Sequence, residues 1–67
     1  MGNAILNITD DTTRAFAEAC YDTNSIEELE GSVPDEVDMK QWGITAEQWQ
    51  EAVQAACTDL KADAKAE

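Results

Sequence analysis

Carboxylates are the reactive groups this sequence offers in quantity. Between Asp22 and Asp38 stand seven of them, Asp22, Glu27, Glu28, Glu30, Asp35, Glu36 and Asp38, with no Lys or Arg among them. Across the chain, 15 Asp and Glu face four Lys and Arg, for a formal net charge of −11, and histidine is absent. Without His, the commonest general base and the commonest neutral metal ligand are missing. Cys20 and Cys57 lie too far apart for a CxxC motif, and two thiolates alone do not complete a zinc site. The EF-hand pattern D-x-[DN]-x-[DN]-G is not found, because "PDEVD" lacks both the glycine and the alternating oxygen ligands. The four residues Asp35 to Asp38 also spell a caspase cleavage site, a match that chance supplies readily. The expectation is therefore a non-enzyme with no cofactor and no metal. What the carboxylates can do is electrostatic: repel nucleic acid and anionic membrane, and attract basic surfaces.

The elements that would position them are short. With 67 residues the chain allows one small domain. Its apolar residues form a small core, and folds of this size often gain stability from a partner or from self-association, so a homodimer is one expectation. Residues 1–8 read as an N-terminal tail whose Ile5, Leu6 and Ile8 pack onto helices. A first helix is expected from Thr9 or Asp10, which can cap it, to about Asp22, with Phe16, Ala19, Cys20 and Thr23 on one face. Ser25 and Glu28 make a capping box for a second, very short helix, with Gly31 as its left-handed stop. Residues 33–42 are ambiguous between loop and helix. Pro34 suits a first helical position, but Val33 and Val37, four apart, do not merge with Met39 and Trp42 into one stripe. Thr45 and Gln48 form a second capping box, opening a long helix whose face is Ala46, Trp49, Val53, Ala56 and Leu60, flanked by Ala52 and Cys57. Residues 62–67 have lost the large apolar side chains and are expected to fray. The fold class is thus all-α: a single-domain bundle of three to four short helices with a longer C-terminal one.

Both cysteines fall on or beside apolar stripes, where Cys behaves as a small buried hydrophobe, although a helix-to-helix disulfide is also conceivable. No run approaches the roughly 20 apolar residues needed to span a bilayer. No secretory signal is visible, and Met1-Gly2 lacks the Ser or Thr and the basic patch that would support myristoylation. The sequon Asn7-Ile8-Thr9 needs a secretory route, so the cytoplasm is the expected location.

The stretch "MKQWGITAEQWQEAV", Met39 to Val53, has the outline of a helix-turn-helix. Two glutamines, Gln48 and Gln50, could read adenine. A DNA binder, however, neutralises several phosphates, and no Lys or Arg lies between Gln41 and Asp59. Direct nucleic-acid binding is therefore not expected. The same charge logic with its sign reversed gives a DNA mimic, in which a rigid array of carboxylates occupies the basic groove that another protein keeps for phosphates. Glu27, Glu28, Glu30, Asp35, Glu36 and Asp38 are the candidate partner-binding residues. Trp42, before a glycine on an uncertain segment, is a candidate interface anchor.

The short acidic chain, with "NITDDTT" (Asn7 to Thr13) and "ITAEQW" (Ile44 to Trp49), resembles the small anti-CRISPR proteins of phages and other mobile elements. The resemblance implies a phage-type inhibitor of a CRISPR surveillance complex, acting in the host-cell cytoplasm. Those proteins share no common motif, so it assigns no role to any residue. The expected function is a non-enzymatic inhibitor that binds a basic nucleic-acid-handling surface by charge mimicry. The alternatives are a helical protein-protein adaptor or dimerisation module, and a small helix-turn-helix-like transcription regulator.

Overall fold

The computed structural model describes residues 4–65 and contains four helices: α1 (Asp11–Thr23), α2 (Ile26–Gly31), α3 (Glu36–Trp42) and α4 (Ala46–Lys65). Each begins where a side chain can take over a free backbone amide. At α1, Asp10 Oδ2 accepts from the Thr13 amide and from its hydroxyl, both at 2.8 Å. At α2 the Ser25–Glu28 box is reciprocal: the Glu28 amide donates to Ser25 Oγ, and the Ser25 amide donates to Glu28 Oε1. At α4 the Thr45 amide donates to Gln48 Oε1 and the Gln48 amide donates to Thr45 Oγ1. The ambiguous segment resolves into α3, with Asp35 as its cap accepting from the Val37 amide at 2.9 Å.

Two helix ends differ from expectation. Pro34 lies before the cap of α3 instead of inside its first turn, because Asp35 can accept a hydrogen bond and takes the boundary. Gly31 is the last residue of α2 and has no positive φ; Ser32 closes that helix, its hydroxyl donating to the Leu29 carbonyl. The left-handed glycine is Gly43, at φ 68°, ψ 39°. There the Ile44 amide donates back to the Met39 carbonyl at 3.0 Å, a Schellman-type stop that turns the chain from α3 into α4.

α4 is the spine. Its 20 residues rise about 30 Å, most of the molecule's 36 Å long dimension. It packs chiefly on α1 and secondarily on α2. Small side chains make the main contact possible: Thr13 and Ala17 of α1, and Ala52 and Ala56 of α4, are wholly inaccessible to solvent. The larger core residues, Ile5, Ile8, Phe16, Leu29, Ile44, Trp49 and Val53, close around that seam. Thr23 and Ala46, expected on the apolar faces, are exposed. The end of α4 remains helical through residues 62–65, where fraying was expected; residues 66–67 lie outside the described part.

The N-terminal segment departs further from expectation. Residues 4–8 form an ordered turn, with the Asn7 and Ile8 amides donating to the carbonyls of Ala4 and Ile5. Residues 1–3 lie outside the described part. Ile5 and Ile8 enter the core, but Leu6, expected to join them, points to solvent, since a tight turn cannot send consecutive side chains the same way. Asp59 of α4 holds this turn in place. It is 3% exposed, and its two carboxylate oxygens accept from the Ala4 and Ile5 amides at 2.9 and 3.1 Å. Arg14 secures the other end, donating to the Ile8 carbonyl while pairing with Asp11.

Replacing Asp59 with Ala strands two amides and is expected to cost about 1–3 kcal/mol. It should lower the thermal midpoint by several degrees and accelerate hydrogen exchange at Ala4 and Ile5; unchanged exchange there would show that the carboxylate does not hold the turn. The α1 cap adds a pH signature. The Thr13 amide and hydroxyl hold the Asp10 carboxyl below the ordinary carboxylate range. A lowered folded-state pKa gives stability that is complete above about pH 5 and is lost as pH falls through the lowered value. Asp10→Asn keeps a capping oxygen without the titration, so its melting temperature should fall less steeply below pH 4.

Candidate functional site

The six candidate carboxylates gather on two short helices. Glu27, Glu28 and Glu30 are exposed on α2, Asp35 and Glu36 are exposed at the start of α3, and Asp38 is half-buried two positions after Glu36. They are not equivalent. Glu28 is tied into the α2 capping box, Asp35 caps α3, and Glu30 pairs with Lys61 of α4 at 3.0 Å. That pair is about half exposed on both sides, so it orients more than it stabilises. Glu27 and Glu36 have no hydrogen-bond or ion-pair partner among the described residues. They present unpaired charge to solvent.

Asp38 and Trp42 turn toward the body of the protein. Trp42 stands edge-on to Phe16, ring centroids 5.3 Å apart, and Phe16 in turn lies 6.3 Å from Trp49. Trp42 is thus largely committed to holding α3 on the core, which leaves only part of its ring to serve as an anchor. It matters there, because no residue of α3 is fully buried. Between α1, α3 and α4 lies a cleft of about 240 Å³ that Phe16, Cys20, Asp38, Trp42 and Trp49 help to line.

A larger groove, about 560 Å³, runs beside α4 and shares Leu29, Ser32, Trp49 and Val53 with this cleft. Leu29, Val33 and Pro34 line it on one side, and α4 contributes the exposed Gln50, Gln54 and Thr58 beside its buried residues. Val33 is 74% exposed. Trp49 lines both hollows, and its buried Nε1 has no hydrogen-bond acceptor among the described residues. Sequence reasoning did not find this groove, although one signal was present: Val33 and Val37 fit no stripe, and both prove to be exposed. It also missed Asp59, an acid four residues after Ala55 on a face otherwise made of small apolar residues.

The would-be recognition helix, α4, exposes Glu47, Gln50 and Glu51 in its first turns, which suits no phosphate backbone. Among the described residues, no group of three or more His, Cys, Asp or Glu is placed to hold a metal ion, and no helix is long and apolar enough to cross a membrane. No family model, curated protein or solved structure matches the chain. The resemblance to anti-CRISPR proteins therefore rests on its two short segments and on charge.

Cys20 and Cys57 are free thiols, both buried. Burial pushes the Cys20 thiol up from its ordinary pKa, and the negative charge of Asp38 adds to the effect. The thiolate is the reactive form, so both features slow attack at this site. Titration with a chromogenic disulfide at pH 8 should find Cys20 protected in the folded protein and both thiols reactive in denaturant. Rapid labelling of Cys20 in the native state would contradict this account.

Proposed function

We propose that this protein is a non-enzymatic inhibitor that binds a basic, nucleic-acid-handling surface of a host protein complex and excludes nucleic acid from it by acidic charge mimicry. One observation carries the reading: Glu27, Glu28, Glu30, Asp35 and Glu36 stand exposed on two successive short helices, Glu28 and Asp35 set by caps, against two lysines, Lys40 at the end of α3 and Lys61, which pairs with Glu30. Capped helices hold the backbone that carries these carboxylates in place, so less of the attraction is lost to ordering on binding. A CRISPR surveillance complex is the target that the anti-CRISPR resemblance implies, and the host cytoplasm is the compartment in which it would be met. Charge of this density also steers encounter with a basic partner, and salt weakens it.

Glu27 and Glu36 are the residues to test, because neither has a hydrogen-bond or ion-pair partner among the described residues. The double variant Glu27→Gln, Glu36→Gln should fold with an unchanged helical spectrum. In affinity capture from host lysate, the wild type should retain basic nucleic-acid-binding proteins, release them as salt is raised, and compete with nucleic acid for them. The double variant should retain them several-fold less well at low salt. Capture that ignores salt and both substitutions, or that recovers only acidic partners, would overturn the reading.

A further inference from the structure

We infer that the cleft between α1, α3 and α4 is a socket for one arginine side chain of a partner protein, its guanidinium pairing with the Asp38 carboxylate and lying against Trp42. That the arginine belongs to a basic protein rests on the proposed function; that the cleft takes a cation does not.

Asp38 and Trp42 stand four residues apart on α3, a spacing that puts them on one face, and both line the cleft. Much of the remaining lining, Phe16 and Trp49 included, is closed core. Trp42 differs, because it is half-buried and keeps part of its ring open beside the hollow. Asp38 is half-buried too, and it has no hydrogen-bond or ion-pair partner among the described residues. No Lys or Arg lines the cleft, so nothing in its walls compensates that charge. Burial first, and the charge of Asp38 second, raise the pKa of the Cys20 thiol in the same lining.

A second feature has the same sign. α1 ends at the cleft, where Cys20, Thr23 and Asn24 line it, and its last turn contains no basic residue. The C-terminal end of a helix dipole is negative and favours a cation. Size and shape then select which one. At about 240 Å³ the cleft is smaller than the roughly 300–1,000 Å³ that encloses a drug-sized ligand, so it suits a single side chain. A guanidinium is planar, stacks on an aromatic face and meets a carboxylate with two parallel donors, whereas an ammonium is a strongly hydrated point charge. Tryptophan is the best aromatic partner for a cation, and an arginine seated in such a place is a common interface hot spot.

Short peptides with one central residue flanked by glycines test this on the full chain, the central residue being Arg, citrulline, Lys or trimethyllysine. Titrations at about 0.15 M salt, where diffuse attraction is screened, are followed by amide and indole NMR shifts. The Arg peptide should move the Trp42 indole and the amides of α3 saturably. It should bind about tenfold more tightly than the citrulline peptide, which keeps the shape without the charge, and several-fold more tightly than the Lys peptide. Asp38→Asn should bring the Arg peptide down to the citrulline level with an unchanged helical spectrum. Trp42→Phe, which keeps a ring against Phe16, should weaken the Arg peptide several-fold. The double variant Glu27→Gln, Glu36→Gln should leave it unchanged. The preference for Arg over citrulline and the position of the shifts need no variant, so they decide the matter even where Asp38→Asn fails to fold. No saturable shift, equal binding of the Arg and citrulline peptides, or equal losses in the Asp38 variant and the double variant would overturn the socket. Tighter binding of trimethyllysine than of Arg would overturn the guanidinium as occupant. In each case, salt-sensitive capture of basic proteins that the double variant weakens would leave charge mimicry standing.

Discussion

A buried carboxylate joining two distant parts of the chain is the interaction on which this fold depends. Asp59 has its oxygens turned inward, and burying a carboxylate without partners is costly. The amides of Ala4 and Ile5 meet that need, and in doing so they fix the turn that delivers Ile5 and Ile8 to the core. Arg14 anchors the same turn from α1 through the Ile8 carbonyl. Three segments, the N-terminal turn, α1 and α4, are thereby tied to one another by polar bonds at the edge of an apolar seam. In so small a core, those two isoleucines are a large share of the bulky side chains available.

The rest of the architecture shows how an acidic chain accommodates its own charge. Carboxylates at helix N-termini meet the positive end of the helix dipole and the free amides there. Asp10, Glu28 and Asp35 all occupy such places, so part of the negative charge stabilises the helices that carry it. What remains unpaired, as at Glu27 and Glu36, is left on the surface where water screens it. A division thus appears within one acidic run between residues that build α2 and α3 and residues that give those helices their field.

Much of this was legible in the residues. The two capping boxes, Ser25–Glu28 and Thr45–Gln48, are local devices whose partners sit three positions apart, and both form as their spacing implies. The α4 face was readable for the same reason, as was the all-α class. Features set by distant neighbours were not. Nothing near Asp59 in sequence says that its partners are the amides of residues 4 and 5. Gly31 and Gly43 look alike as helix stops, and only tertiary placement decides which adopts the left-handed conformation. The candidate carboxylates lie on two successive helices, and their inequality depends on which are already bonded. The groove was hidden because it is made from the side of one helix and a link that helical periodicity does not describe.

The bond from Asp59 to Ala4 also bears on how the molecule assembles and persists. Its partners are 55 residues apart, so almost the whole chain must be in place before the contact can form. Loop-closure entropy therefore makes it a late event, one that rewards a chain already close to native and does little to hasten its arrival. Interactions absent from the folding transition state act on the rate of unfolding. The clasp is in that sense a lock and not a guide: it lengthens the lifetime of the folded protein more than it shortens the search for it.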